Sequence, residues 1–405
     1  MRRLLVAVSL VVGCSAKSAG DTVPPVAYEG ALPATIAARL ASNVLFVQAS
    51  VNASTERSLL VDTGAAMTGV DPLTYAGAGL PADAASIASL AVGPLTFRDV
   101  PSVALDECGA SCGPFDPTGV LGGNVLRSFV VGFDYRAPAV VFGDAPPPAN
   151  ATGAPIAIPF TLAGGGTGTI AGGSARVLTV PATRAVLHAS VEGADRVLLL
   201  DTGASYTLLR ASLFTALVAD GRKTLTLESA TATGTAMGAM ARARTVAVEG
   251  TEAPGSPVAS VPDAFVDNLK DETGGPVDGL LGGSFLRAYH AQVDYAHGQL
   301  TLRAYAPADA LADEFVRVGL FLAAKGAGYA VGQVLAGTQA ASANLAGAAV
   351  VDVDGTTLAG LDPEAADRLL RGAAGATHVL HVQRSGASSV EAVTLAVEDV
   401  LAAPR

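Results

Sequence analysis

Two copies of one short motif carry the groups in this sequence that could do chemistry. Asp62 and Asp201 each follow three apolar residues, and each precedes Thr-Gly-Ala. A carboxylate at the end of so apolar a segment is costly to bury alone. If the two segments converge, the carboxyls cannot both ionise comfortably and share one proton. The ionised carboxyl can then take a proton from water while the protonated one polarises a carbonyl, which hydrolyses an amide by general acid–base catalysis.

The chain contains the segments that would position these aspartates twice. Residues 43–70 resemble residues 185–209, and residues 118–142 resemble residues 278–302 in the same order. The first pair is offset by 139 residues and the second by 160, so the second copy carries 21 additional residues in between. A repeat of this kind predicts two related lobes that each bring one aspartate to a common site.

The hydrophobic pattern predicts a mainly β protein. Short apolar or alternating runs between Gly, Asn and Pro are typical of strands. We expect a hairpin turned at Gly-Pro within residues 91–97, and short helices at residues 124–129 and 284–289, after the two Gly-Gly pairs. The Pro-rich residues 144–155 predict the connection between the lobes.

Two further segments strengthen a family resemblance. Together with the Asp-Thr-Gly motifs, Val120-Leu121-Gly122 and Leu280-Leu281-Gly282 resemble the aspartic protease superfamily, and the Ala after each motif resembles its retropepsin-like branch. The resemblance covers about residues 29–305. It implies a bilobal fold of duplicated β-barrel-like lobes, with lobe 1 at residues 29–147 and lobe 2 at residues 148–305. Both half-sites lie on one chain, so a monomer suffices.

The same resemblance implies roles for residues around the two aspartates. Thr63 and Thr202 would hydrogen-bond across the lobe interface, and glycine after each threonine would let the backbone turn closely under the carboxyls. The implied supporting residues are Thr63, Gly64, Ala65, Thr202, Gly203, Ala204, Gly122 and Gly282. A hairpin covering the substrate would lie at residues 90–100, unless that hairpin only supports the lobe, and at residues 231–243.

Alanine rather than Ser or Thr follows each motif, at Ala65 and Ala204. An alanine offers no hydroxyl to the neighbouring carboxylate, and fewer donors to the charged form leave its pKa higher. We therefore expect a pH optimum nearer weakly acidic or neutral pH than that of pepsin-like enzymes.

The N-terminus has the pattern of an export signal. A basic start and an apolar run at residues 4–12 precede Gly13-Cys14-Ser15, which resembles the lipobox of bacterial lipoproteins. Residues 1–13 would be removed, Cys14 lipidated, and residues 14–28 would tether the first lobe to the membrane. Ser15 resembles an outer-membrane address. The alternative is an ordinary signal peptide, cut near Ala16 or Ala19.

Two cysteines remain, Cys108 and Cys112, in a Gly- and Pro-rich segment. In an exported protein a local disulfide between them is favoured. Zinc is the competing interpretation, but no histidine or second cysteine pair lies nearby in the sequence to complete four ligands.

After residue 305 the repeat ends, and residues 310–403 form a third unit. Its order of predicted strands and short helices resembles a bacterial PDZ domain, a small α+β fold. The resemblance implies a loop for a peptide carboxylate at Gly319, Leu320 and Phe321, where a C-terminal peptide would add to a sheet edge. The alternative is a module that only packs on the lobes.

Composition narrows the function classes. The 405-residue chain has a net charge of −11 and a pI near 4.9, which argues against nucleic acid as a partner. Half of its residues are hydrophobic, but no stretch approaches the roughly 20 apolar residues that span a bilayer. The sequence therefore predicts a monomeric aspartic endopeptidase of the bacterial cell envelope that acts on polypeptides and needs no cofactor or metal. The alternative is a catalytically idle scaffold that binds peptides.

Overall fold

A computed structural model describes residues 4–5, 25–81, 84–105, 118–170, 176–231, 234–307 and 313–402. The protein is mainly β, with 47% strand and 14% helix, which confirms the predicted fold class. Apart from β1 (Leu4–Leu5), which pairs in parallel with Ser229–Ala230, the strands form two related lobes and a C-terminal unit.

Lobe 1 is built from ten short strands and two short helices among its described residues. Its strands are β2 (Ala27–Glu29), β3 (Ala34–Ala41), β4 (Val44–Val51), β5 (Arg57–Val61), β6 (Thr68–Val70), β7 (Ser86–Val92), β8 (Leu95–Ala104), β9 (Gly119–Leu121), β10 (Val130–Asp134) and β11 (Ala139–Phe142). Its helices are α1 (Pro72–Gly77), which Asp71 caps, and α2 (Gly123–Leu126).

The strand pairing of lobe 1 places the end of β5 in its interior. β5 pairs in parallel with β9, β9 is antiparallel to β6, and β6 is parallel to β8. The predicted hairpin is β7–β8, and its turn packs at Gly30 and Ile36 while β7 pairs with β4. This hairpin therefore supports the lobe.

Lobe 2 repeats this arrangement with added elements. Its strands are β12 (Ile156–Pro159), β13 (Thr161–Ala163), β14 (Gly166–Ile170), β15 (Arg176–Val180), β16 (Arg184–Val191), β17 (Ala194–Leu200), β18 (Thr207–Arg210), β19 (Leu225–Thr231), β20 (Gly234–Arg242), β21 (Thr245–Val248), β22 (Thr251–Pro254), β23 (Pro257–Val261), β24 (Gly279–Leu281), β25 (Tyr289–Asp294) and β26 (Gln299–Ala304). Its helices are α3 (Ala211–Leu217), followed by a 3₁₀ turn at Val218–Asp220, α4 (Asp263–Thr273) and α5 (Gly283–Leu286).

The repeat is visible in the pairing. β17 is parallel to β24, β24 is antiparallel to β18, and β18 is parallel to β23, as in lobe 1. Between β18 and β24, lobe 2 carries the hairpin β19–β20 and the helix α4 in addition to α3 and β21–β23. In the corresponding part of lobe 1 the described residues form α1, β7 and β8, and residues 106–117 lie outside the described ranges. The additional residues of the second copy therefore lie in this region. The helices α2 and α5 begin at the second glycine of each Gly-Gly pair and end before the predicted ends.

The two lobes share a sheet. β10 of lobe 1 pairs with β25 of lobe 2, and β12, at the start of lobe 2, extends the same sheet along β26. Apolar residues on both sides of this junction, such as Phe133 and Val293, are fully buried in one core. The lobes are thus fixed to each other along β10 and β25, which are equivalent strands of the repeated segments 118–142 and 278–302.

The C-terminal unit is a separate sheet with two short helices. Its elements are β27 (Val316–Val318), β28 (Leu320–Lys325), β29 (Gly328–Val334), α6 (Gln339–Ser342), β30 (Ala349–Val353), β31 (Thr356–Thr357), α7 (Pro363–Arg368), β32 (Thr377–Gln383) and β33 (Glu391–Asp399). α6 spans four residues, and left-handed backbone at Asn344 and Gly347 follows it.

This unit packs on lobe 2 through an apolar interface. Phe315, Phe321 and Leu401 are buried in the same cluster as Tyr206 and Met240 of lobe 2. At its edge, the buried Arg242 of β20 donates to the backbone carbonyl of Leu401. Within the described ranges, no helix is both long and apolar enough to span a membrane.

Candidate active site

Each predicted aspartate lies in a tight turn directly after its strand. We call residues 62–67 the first carboxyl turn and residues 201–206 the second carboxyl turn. Asp62 Oδ1 accepts hydrogen bonds from the backbone N–H groups of Gly64 (2.7 Å) and Ala65 (3.0 Å). Asp201 Oδ1 accepts the equivalent bonds from Gly203 (2.9 Å) and Ala204 (3.0 Å). The sequence repeat is therefore also a repeat of hydrogen bonds.

The threonines interlock the two turns as the resemblance implies. The backbone N–H of Thr63 donates to Thr202 Oγ1, and that of Thr202 donates to Thr63 Oγ1, both at 3.1 Å. Each hydroxyl in turn donates across the interface at 2.8 Å, from Thr63 to the carbonyl of Leu200 and from Thr202 to that of Val61. Four reciprocal hydrogen bonds therefore fix the distance between the two carboxyl turns.

The two carboxyls face each other at close range and away from bulk solvent. Asp62 and Asp201 are 0% and 2% exposed. A Cβ placed on Gly64 would lie 2.6 Å from Asp201 Cγ, so only glycine lets the first turn approach the second carboxyl this closely. Asp62 Oδ2 is buried and has no hydrogen-bond partner among the described residues. A proton shared between the carboxyls would satisfy this oxygen.

Burial dominates the electrostatics of the pair. Burial raises the pKa of Asp62 to about 6, although the Ala65 N–H, a hydrogen bond with Asp201, the Gly64 N–H and the charge of Arg184 act in the opposite direction. Burial, and then the negative charge of Asp62, raise the pKa of Asp201 well above its ordinary value. The pair therefore holds one proton over a range around weakly acidic and neutral pH. The principal cause is burial, and a pH optimum above that of pepsin-like enzymes stays a prediction.

The predicted glycines beneath the turns are required by close backbone packing. A Cβ on Gly122 would lie 2.4 Å from the carbonyl oxygen of Met67, and one on Gly282 would lie 2.2 Å from that of Tyr206. The next residues, Gly123 and Gly283, each donate a 2.7 Å backbone hydrogen bond to the alanine carbonyl of the turn above. The apolar-apolar-Gly segments thus support the carboxyl turns from below.

An ion pair that sequence reasoning missed lies against the first carboxyl turn. Arg184, the first residue of β16, is buried, and its Nε donates to the carbonyl of Gly64 at 3.1 Å. Its Nη2 lies 2.7 Å from Glu272 Oε2 of α4. A side chain of lobe 2 therefore holds the turn that carries Asp62, and a second lobe 2 residue holds that side chain.

An amide that sequence reasoning also missed lies against the second carboxyl turn. Asn43, which directly precedes β4, is buried, and its Nδ2 donates to the carbonyl of Ser205 at 3.3 Å. Strands β4 and β16 are equivalent, since each pairs with the strand that leads to an aspartate. The only available sequence signal was the position of Asn43 and Arg184 at the beginning of these two repeated strands.

Other predicted residues lie elsewhere. Cys14, Cys108 and Cys112 lie outside the described residues. Residues 231–243 fall largely on β20 of the hairpin β19–β20, whose tip residues also lie outside the described ranges.

The predicted carboxylate loop of the C-terminal unit is an interface within the chain. Gly319, Leu320 and Phe321 are all buried, and Phe321 packs in the cluster shared with lobe 2. The Gly319 carbonyl accepts the backbone N–H of Leu335, and a Cβ on Gly319 would lie 2.1 Å from Thr338 Oγ1. These contacts bury the three side chains within the fold, and binding of a peptide carboxylate at this loop stays a prediction.

Among the residues that the structure describes, no group of three or more His, Cys, Asp or Glu is placed to hold a metal ion. The chemistry available at the paired turns is that of two carboxyls sharing a proton.

Comparison with known protein families finds a match within lobe 2. Residues 187–285, which include the second carboxyl turn, match the family model described as aspartyl protease. A comparison with curated proteins finds no match. Among solved structures, the chain is similar to the aspartic proteinase from Irpex lacteus, with 15% sequence identity and a TM-score of 0.38, over 69% of this chain and 98% of that one.

Proposed function

We propose that this protein is an aspartic endopeptidase in which Asp62 and Asp201 activate water to hydrolyse peptide bonds. The observation that carries the proposal is the pair of buried carboxyls, held face to face by reciprocal threonine hydrogen bonds. The family match over residues 187–285 supports the same activity. Both half-sites lie on one chain, which supports a monomeric enzyme.

One carboxyl of the pair is ionised and the other keeps the shared proton, so Asp62 and Asp201 divide the base and acid roles between them. The ionised carboxyl takes a proton from water as the water oxygen attacks the amide carbon, while the protonated carboxyl donates its proton to the carbonyl oxygen. Proton transfer to the amide nitrogen then allows the C–N bond to break, and the pair returns to its single-proton state.

We further propose that the enzyme is exported and lipid-anchored in the bacterial cell envelope through Cys14. The basic start, apolar run and lipobox-like segment support this location. For the C-terminal unit, which resembles a PDZ domain, we propose docking on the lobes as its main role, because Gly319, Leu320 and Phe321 are buried. Capture of a C-terminal peptide would then need another part of the β28 edge.

Cleavage of a peptide library tests the activity. The chain beginning at Ser15, which lacks the predicted anchor, is incubated with the library from acid to neutral pH, and products are read by mass spectrometry. Asp62→Asn and Asp201→Asn are the matched variants, because asparagine keeps the shape and the Oδ1 acceptor. We expect each to lower turnover by about 10²–10⁴-fold, the contribution of a positioned acid or base.

The outcomes separate the enzyme from the idle scaffold. Cuts that disappear in both variants support the two-carboxyl mechanism and give the cleavage preference. Cuts that persist in either variant contradict it. Peptide binding without cleavage at any pH would instead favour the scaffold.

A further inference from the structure

The second carboxyl turn is held by a chain of contacts that ends in the C-terminal unit. Asn43 Nδ2 donates both to the carbonyl of Ser205 at 3.3 Å and to Glu314 Oε1 at 2.7 Å. Glu314 belongs to the segment that leads into β27 and is 2% exposed. Arg287 of lobe 2 completes the cluster, with Nη1 2.7 Å from Asn43 Oδ1 and 3.7 Å from Glu314 Oε1.

The backbone explains how Asn43 reaches this position. Ser42 and Asn43 form the turn between β3 and β4, with φ of 49° and 65°. Asparagine tolerates this left-handed conformation better than most residues, so its presence could reflect the turn alone. Its side chain, however, is buried and makes hydrogen bonds through both Oδ1 and Nδ2 to three other residues. These contacts exceed what the turn conformation requires.

A second contact joins the C-terminal unit to the same turn. The ring of Phe315, next to Glu314, lies 5.8 Å from the ring of Tyr206, next to Ser205. Both rings are buried in the apolar cluster that lobe 2 shares with the C-terminal unit. Two adjacent residues of this unit therefore contact two adjacent residues of the second carboxyl turn, either directly or through Asn43.

We infer that Asn43 and Glu314 are positioning residues for Asp201, so that the C-terminal unit is an integral part of the active site. Buried Glu314 fixes the orientation of the Asn43 amide, and that amide holds the Ser205 carbonyl and with it the turn that carries Asp201. Small displacements of a reacting group cost large factors in rate. This inference rests on the proposed peptidase function for its kinetic consequence only.

Three variants and a matched control test whether Glu314 and Asn43 position the second carboxyl turn. Glu314→Ala removes the acceptor, Glu314→Gln keeps an oxygen at the same place, and Asn43→Gly keeps the left-handed turn but removes the amide. Glu391→Ala is the control, because Glu391 is another glutamate of the C-terminal unit and lies away from the Ser42–Asn43 turn. It is exposed and pairs with Arg384 within its own unit.

The expected kinetic result is a selective loss of kcat. Glu314→Ala and Asn43→Gly should lower kcat about tenfold with KM changed less than about twofold, because a misplaced carboxyl slows the chemical step. Glu314→Gln should lose less than about threefold, since it still accepts from the Asn43 amide. The control should match the unaltered protein. A wild-type kcat in Asn43→Gly and Glu314→Ala, or an equal loss in Glu391→Ala, overturns the inference.

Hydrogen exchange gives a readout that does not depend on catalysis. In Glu314→Ala and Asn43→Gly we expect faster amide exchange in residues 201–206 and unchanged exchange in residues 62–67. If the unaltered protein cleaves no peptide, the proposed function fails, and this exchange pattern still decides the inference. Equal acceleration in both turns, or in neither, contradicts it.

Discussion

The two carboxyl turns are almost identical inside and different outside. Within the turns, aspartate, threonine and glycine make the same hydrogen bonds in each lobe. Outside, the first turn is held by the Arg184–Glu272 ion pair, both of whose members belong to lobe 2. The second is held by Asn43, whose amide also donates a hydrogen bond to Glu314 of the C-terminal unit. Duplication therefore kept the reacting geometry and left its support free to diverge.

The difference has an electrostatic consequence. A guanidinium lies against the turn of Asp62, whereas an amide lies against the turn of Asp201. The positive charge favours ionisation of the nearer carboxyl. The charge of Arg184 lowers the pKa of Asp62, whereas the charged groups beside the second turn, Arg287 and Glu314, contact Asn43.

Breaking the support of the first turn should have the largest effect on stability. Glu272→Ala leaves the Arg184 charge buried without its carboxylate, and removal of one partner of a buried ion pair costs about 3–5 kcal/mol. We expect the free energy of unfolding, measured with denaturant, to fall by that amount. Glu29→Ala is the control, because the Arg98–Glu29 pair is exposed, with side chains 42% and 63% accessible. It should cost less than about 1 kcal/mol. Equal losses would show that Arg184 finds another partner.

A smaller and equal effect should follow from breaking the contacts that the two turns share. Thr63→Val and Thr202→Val each remove one hydroxyl that donates to a buried carbonyl and accepts from a buried N–H. We expect each to lower the free energy of unfolding by about 2 kcal/mol. Thr63→Ser and Thr202→Ser, which keep the hydroxyl, are the controls. If the two valine variants lose unequal amounts of unfolding free energy, the interface between the two turns is itself asymmetric.

The shared contacts were predictable from sequence and the unshared ones were not. Asp62, Asp201 and their threonines and glycines recur in the same residue types at the same spacing, so the repeat itself marks them. Asn43 and Arg184 occupy the beginnings of equivalent strands but differ in type, so no repeat marks them. Their partners are also remote, since Asn43 and Glu314 are 271 positions apart in the sequence. Contacts of this range depend on how units dock, which hydrophobic periodicity does not encode.

The C-terminal unit illustrates the same limit. The order of its strands and helices follows from the pattern of apolar residues and from the glycine and asparagine residues that separate the apolar segments. Phe321, by contrast, is apolar in either interpretation, as part of a peptide cradle or as part of a buried interface. Only its packing in one cluster with Tyr206 and Met240 distinguishes the two.

The smallest expected effect is a shift of the pH profile of kcat/KM. It depends on the Arg184–Glu272 ion pair, which supports the first carboxyl turn but not the second. In the folded protein the pKa of Asp62 is raised from 3.8 to about 6, so this carboxyl contributes stability that is present below pH 4 and is lost as the pH rises through about 6. Catalysis needs the single-proton state, so kcat/KM should fall as the pH drops through the same value.

The charge of Arg184 lowers this pKa. Replacing the ion pair by apolar residues, Arg184→Met with Glu272→Met, should therefore move the acid limb to higher pH by less than about one unit.

The double variant suits this measurement because apolar replacement of a buried ion pair is often neutral or stabilising. Its melting temperature is recorded beside the kcat/KM profile, and Glu314→Gln, which leaves Arg184 in place, should keep the original acid limb. An unmoved acid limb in the folded double variant would mean that Arg184 acts only through its hydrogen bond to the Gly64 carbonyl. The asymmetry between the two carboxyl turns would then be one of geometry and not of charge.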